Sequence, residues 1–263
     1  MWKWEAEGQP KAVVAIVHSA YEHHRRYAWL IERFRTAGFH VVMGDLPGHG
    51  DASLSHAAHD SSFEEYEKFV HELVKVGLSH NLPLFVIGHG MGATLMMNKL
   101  HSKELSIAGV VLSSPWLHLV QTPPKTLTGI GKIATNMKIK HDLPIKQMTR
   151  NFDVYKLEKD DPLYNPVITS SWYSELQGLM RTTFQTKGQE ISMPVLMHTA
   201  ERDKITDPRY ALRWMQSQQM REFQYREWKN CYHDLFQEPE REYIFLYTEA
   251  FMNNTLRSLG YIV

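Results

Sequence analysis

The chain has 263 residues, 43% hydrophobic and 22% charged, which suits one large globular domain or one domain carrying an insertion. Its 29 basic and 29 acidic side chains cancel, arguing against a nucleic-acid partner or strong attraction to an anionic membrane. Cys231 is the lone cysteine, so disulfides cannot hold the fold; no stretch approaches the ~20 apolar residues of a membrane span, and the first residues lack a signal-peptide core, so a cytoplasmic protein is expected.

Strand and helix patterns alternate through the first half. Ala12 to His18 is a continuous apolar run, as expected of a strand buried on both faces. Tyr27, Leu30, Ile31 and Phe34 follow at helical spacing, and Gly38 ends that helix. His40 to Asp45 predicts a strand, and Phe63 to Leu78 an amphipathic helix. Leu82 to Gly88 (strand), Met91 to Leu100 (helix) and Ile107 to Ser113 (strand) continue the alternation. Such a pattern predicts an α/β class fold, a mostly parallel sheet flanked by helices.

The pattern breaks between residues 116 and 190. This segment carries Pro123-Pro124, a Gly/Lys/Thr-rich stretch and helical fragments such as Trp172 to Met180, without a convincing buried strand. It is expected to be an inserted helical cap over a core made of residues 1–115 and 191–263, because ligands in such sheets bind at the carboxyl ends of the strands. Alternation resumes with a strand at Pro194 to Thr199, a helix near Ala211 to Met220, a strand at Phe223 to Trp228 and a last helix from Glu238 to about Leu259.

Gly88-His89-Gly90-Met91-Gly92 lies between a strand and a helix, the setting of a nucleophile elbow, whose usual pattern is Gly-x-Ser-x-Gly. The outer glycines suit a turn whose residues crowd together, but the central position is Gly90, which has no nucleophile. A phosphate-binding turn is the alternative, and it lacks both the Gly-x-Gly-x-x-Gly spacing and the Walker lysine. Asp203 follows the Pro194 strand, and His233 follows the strand ending at Trp228. Nucleophile position, acid, histidine is the chain order of α/β-hydrolases, with Asp203 orienting the imidazole and His233 as general base. The loop His18-Ser19-Ala20 would donate one oxyanion N–H from Ala20, and Met91 the second. Trp116, Leu117 and Trp172 are candidate lining residues of an apolar pocket above Gly90. His56 and His59 are three apart in a polar loop without a third ligand, so neither a metal nor a cofactor is expected.

The stretches VHSAYEHHRRY (17–27), VVMGDLPGHG (41–50), VIGHGMGA (86–93), LSSPWL (112–117), DDPLY (160–164), Trp172-Tyr173, AERDKITD (200–207) and YHDLFQEPER (232–241) resemble the monoacylglycerol lipase and lysophospholipase group of serine aminopeptidase-type α/β-hydrolases, including the small phospholipase-like proteins of Gram-positive bacteria. The resemblance implies hydrolysis of single-chain acyl esters, a small-molecule lipid as partner and, at most, transient membrane-surface contact. Two positions depart from the group: its His-Gly-x loop is His18-Ser19-Ala20 here, and its Gly-His-Ser-Met-Gly-Gly is Gly88-His89-Gly90-Met91-Gly92-Ala93. The chain as written is therefore expected to be inactive or impaired, or else a natural pseudoenzyme that binds lipid or regulates. The further departures at Ser19 and Ala93 favour a natural glycine over a designed knockout.

Overall fold

The computed structural model describes residues 1–101, 106–123, 136–187 and 190–263; most of the Gly/Lys/Thr-rich stretch, together with Pro124, lies outside them. The strands are β1 (Trp2–Trp4), β2 (Ala12–Val17), β3 (Phe39–Met43), β4 (Leu84–His89), β5 (Gly109–Ser113), β6 (Lys138–Lys140), β7 (Val167–Thr169), β8 (Glu190–Ile191), β9 (Val195–Ala200), β10 (Gln219–Met220) and β11 (Phe223–Trp228). Seven of them form one sheet in the order β1-β3-β2-β4-β5-β9-β11. Every pairing in it is parallel except β1 with β3, where Trp2 faces Met43 and Trp4 faces Val41.

The continuous apolar runs divide by parity. Val13, Ala15, Val17, Val86, Val110 and Met197 face one core, while Ala12, Val14, Ile16, Ile87, Val111 and Leu196 face the other. Side chains alternate across a strand, so a sheet covered on both faces must be apolar at every position. The first core is closed by the helices α2 (Phe63–Leu78) and α3 (Met91–Lys99), with described residues of the segment 116–190 packed on them; the second is closed by α1 (Ala28–Thr36) and the terminal helix Arg241–Ser258. A capping box fixes the start of α2: the Glu65 N–H donates to the Ser62 hydroxyl, and the Ser62 N–H donates to the Glu65 carboxylate at 2.8 Å.

Three details differ from the sequence expectations. The strand β1 was not anticipated, because three residues carry too little periodicity to register. The helix expected over Ala211 to Met220 runs from Pro208 to Gln216, started by Asp207 as N-cap with proline in its first turn, and Gln219–Met220 instead pairs with Glu190–Ile191. The segment 116–190 does contain strands, since β6 pairs with β7 and places Ile139 and Ile168 in the interior. Its long helix, Ser170–Gln185, buries Trp172, Tyr173, Leu176 and Leu179. Among the described residues no helix is long and apolar enough to cross a membrane.

Candidate functional site

All the candidate site residues but Trp172 follow the carboxyl end of a strand of the main sheet: Ala20, with Ser19, after β2, Gly90 and Met91 after β4, Trp116 and Leu117 after β5, Asp203 after β9 and His233 after β11. Parallel strands aim these ends the same way, which is why positions so far apart in the chain share one site.

Gly90 has φ +53° and ψ −116°, a conformation that is strained for a residue with a β-carbon. A β-carbon on Gly88 would come within 2.6 Å of Ala93 Cα, and one on Gly92 within 2.3 Å of the Val17 carbonyl oxygen, so the close approaches expected of the flanking glycines are present. The turn therefore has the geometry of an elbow that presents residue 90 above the sheet.

His233 Nδ1 lies 2.8 Å from Asp203 Oδ2, and both side chains are fully buried. The carboxylate accepts, so the proton sits on Nδ1 and Nε2 carries the lone pair. That lone pair is engaged: the Trp116 indole N–H donates to it at 3.0 Å. The same indole nitrogen lies 3.0 Å from the place a β-carbon on Gly90 would occupy, so it stands between the imidazole and position 90. Ser19 fills the rest. Its Oγ lies 2.1 Å, and its Cβ 2.7 Å, from that same place, and its Oγ accepts the Met91 N–H at 3.1 Å. Both Ser19 and Trp116 are wholly buried.

A charged network lies beneath. Glu22, in the loop after β2, accepts the Ser19 N–H at 2.9 Å and the Tyr27 hydroxyl at 2.6 Å. Arg26 donates to Glu22 and, at 2.7 Å, to Asp234, and its Nη2 lies 2.7 Å from Glu158 Oε2 without an aligned N–H. Asp234 also holds His89 Nε2 at 2.9 Å. Burial alone would raise the Glu22 and Asp234 carboxyls, but Arg26, helped by His89, holds both below the usual carboxylate range. Burial would lower His89, yet Glu22 and Asp234 outweigh it and raise its affinity for a proton. The network ties together the loop after β2, the residue before Gly90, the residue after His233 and the inserted segment.

Among the described residues, two groups have donor sets that could face a metal ion, His89/His233/Asp234 and Cys231/Glu238/Glu240. The first is bound into the pairs above. In the second, Arg150 already pairs with both glutamates, and burial pushes the Cys231 thiol up to about 12, which opposes the thiolate a metal would need. His56 Nδ1 and His59 Nε2 donate to separate backbone carbonyls, of Ala52 and Asn165.

The lining candidates part company. Trp116 reaches the site itself as the partner of His233. Leu117 borders a groove of about 320 Å³ with Tyr173, Met180, Phe184 and Tyr210. Trp172 is 1% exposed, donates its indole N–H to Tyr66 at 2.8 Å and packs on Phe63, so it fastens the inserted segment to the core. Sequence reasoning missed Trp116 as a hydrogen-bond donor and missed the Glu22–Arg26–Asp234–His89 network. The available signals were adjacency, since His89 and Asp234 each neighbour a motif residue, and the i, i+4 spacing of Glu22 and Arg26.

The chain matches the family described as serine aminopeptidase, S33, over residues 8–240. It is 36% identical over 256 residues to the phospholipase YtpA of Bacillus subtilis, covering 95% of this chain and 98% of that one. Its structure is similar to that of a monoacylglycerol lipase from Paleococcus ferrophilus, with TM-score 0.83, 26% identity and coverage of 97% and 98% of the two chains. A soluble variant of monoglyceride lipase from Saccharomyces cerevisiae, solved with a substrate analog, superposes with TM-score 0.82 at 18% identity over 96% and 90%, a likeness of fold.

Proposed function

The chain belongs to the serine aminopeptidase S33 family and has the α/β-hydrolase fold, and from that premise we propose that it binds single-chain acyl esters, of the monoacylglycerol or lysophospholipid type, over a serine-hydrolase site that lacks its nucleophile. In this reading Gly90 stands at the nucleophile position, Asp203 orients His233, and Met91 and Ala20 supply the oxyanion N–H groups. Residues 116–190 act as the cap, and the groove bordered by Leu117 takes the acyl chain. Each buried methylene would add about 0.8 kcal/mol.

The observation that carries this reading is the paired Asp203 and His233 beside a nucleophile position that has no side chain of its own. His233 is in the tautomer a general base requires, but its Nε2 meets an indole N–H and no hydroxyl. A site reduced to binding and oxyanion stabilisation retains only about 10³–10⁴-fold acceleration over water. The occupied volume at Gly90 and the occupied Met91 N–H favour binding without turnover over slow hydrolysis.

The test is to purify the chain, extract and identify bound lipid by mass spectrometry, and assay hydrolysis of monoacylglycerol and lysophospholipid together with labelling by a fluorophosphonate. Bound single-chain lipid with neither turnover nor adduct is expected. Rapid ester cleavage would refute the missing-nucleophile assignment, and failure to bind any single-chain acyl ester would refute the ligand class.

A further inference from the structure

We propose that Ser19 and Gly90 form one coupled exchange, in which the Ser19 hydroxyl is a resident occupant of the oxyanion position, so that position 90 can carry a nucleophile only when both residues change together. The inference rests on reading Gly90 as the nucleophile position, and its test separates the two.

Sterics give the first argument. A β-carbon on Gly90 would stand 2.1 Å from Ser19 Oγ and 2.7 Å from Ser19 Cβ. Rotating the Ser19 side chain moves the oxygen but leaves the β-carbon in place. Backbone movement is opposed as well, because the Ser19 N–H is held by the buried Glu22 carboxylate at 2.9 Å and the loop leaves directly from the interior strand β2. A serine at 90 and a serine at 19 therefore exclude one another in this backbone, whereas with glycine at 19 a serine at 90 meets only the Trp116 indole nitrogen at 3.0 Å and the strain of its positive φ.

Hydrogen bonding gives the second. Met91 begins α3, so its N–H has no acceptor within the helix. That orphan donor is what an oxyanion hole uses, with the substrate oxygen at about 2.7–3.1 Å. Here Ser19 Oγ accepts it at 3.1 Å. The protein's own hydroxyl thus stands where the carbonyl oxygen of an ester, or the carboxylate oxygen of a fatty acid, would have to sit. An acyl head group must displace Ser19 Oγ to reach Met91, and removing that hydroxyl exposes a subsite for one oxygen atom.

The experiment is a square of four proteins: the chain itself, Ser19→Gly, Gly90→Ser and the pair. Thermal stability, fatty-acid binding and labelling by a fluorophosphonate are read on each. In labelling, the new Oγ–P bond replaces P–F, the hydroxyl proton passes to His233 Nε2 and fluoride leaves. Ser19→Gly alone is expected to bind a fatty-acid carboxylate more tightly and to remain unlabelled. Gly90→Ser alone is expected to lose stability and remain unlabelled. The pair is expected to regain roughly 5 °C or more over Gly90→Ser alone and to label, with a loss of about 10²–10⁴-fold when His233→Ala is added.

If Gly90→Ser alone labels as fast as the pair, or the pair is no more stable than Gly90→Ser alone, the coupling is overturned while the nucleophile position can still stand. If the pair recovers stability but never labels, the coupling holds and the nucleophile assignment fails. A fluorophosphonate adduct mapped to Ser19 in the unaltered chain would overturn the role of occupant and make Ser19 itself the nucleophile.

Discussion

Arg26→Met tests the charged network beneath the site. Arg26 is 5% exposed on its side chain and faces Glu22, Asp234 and Glu158, while His89 is a second basic partner of Glu22 and Asp234. Methionine nearly conserves the length of the stem and removes the guanidinium. Breaking a buried ion pair costs about 3–5 kcal/mol, because the abandoned charges stay desolvated. Against a total of roughly 5–15 kcal/mol, that is a large share of the stability. The sign with pH follows from the shifts. In the unaltered chain the Glu22 and Asp234 carboxyls are held low by Arg26, so their stabilisation is present above the carboxylate range of the unfolded chain and is lost only as pH falls through their folded values. Without Arg26, burial dominates and those carboxyls rise, so the folded variant takes up protons that the unfolded chain has already released. The variant therefore recovers part of its loss as pH falls from 7 to 5. Urea unfolding at both pH values reads this directly. A loss below about 1 kcal/mol at pH 7 would refute the argument that the network is desolvated. A loss of equal size at both pH values would refute the assignment of its cost to unpaired carboxylates.

Three further outcomes are expected. Trp116→Phe removes the indole donor from a buried imidazole lone pair and should cost about 1–3 kcal/mol in urea unfolding; no measurable loss would mean that the contact with His233 Nε2 is dispensable. In the Ser19→Gly/Gly90→Ser pair, the same Trp116→Phe change should speed fluorophosphonate labelling, because the indole competes with the new hydroxyl for Nε2; slower labelling would show that Trp116 helps the base. Burial lowers His59 to about 4, so it folds neutral, and between pH 6.5 and 4 the unfolded chain binds the extra proton. Stability is therefore full above 6.5 and falls by about 3 kcal/mol toward pH 4 on this residue's account, and His59→Gln should flatten that part of the profile.

The framework of the fold is written in local periodicity. Strand β2 is apolar at every position, and β4, β5 and β9 nearly so, because both faces are covered, and the helices between them repeat at three and four residues. Only long, strongly patterned elements leave such a mark, so the strand Trp2–Trp4 and the antiparallel pair of β6 with β7 escaped. Asp203 and His233 were legible through their order after successive strands. The Glu22–Arg26–Asp234–His89 network was not, since its partners lie up to 208 residues apart and charge alone does not say which acid meets which base. The Ser19–Gly90 contact had a trace in the sequence: a serine where the loop favours glycine, and a glycine where the elbow favours serine. Nothing local said that the two residues touch.

The way the site is supported explains why position 90 is the place where such a site can lose a side chain at small structural cost. Asp203 Oδ1 accepts the Ile205 and Thr206 N–H groups at 2.8 and 2.9 Å, and Oδ2 accepts the Thr206 hydroxyl and His233 Nδ1, both at 2.8 Å. Removing that carboxylate would strand four donors, each a hydrogen bond to a charged group worth about 1.5–3 kcal/mol. The His233 loop is likewise pinned by its carbonyl, which accepts the Ser114 hydroxyl at 2.8 Å. Asp203 and His233 therefore serve the fold whether or not an ester is ever cleaved. A hydroxymethyl group at position 90 does the opposite. It would impose about 1–3 kcal/mol of backbone strain at positive φ and press on Trp116 and Ser19. Glycine relieves both, and the Ser19 hydroxyl refills the volume and satisfies the Met91 N–H. An intact Asp203–His233 pair is thus what stability alone would keep, so it is no argument for turnover; that argument has to come from a hydroxyl within reach of Nε2, where this chain has an indole.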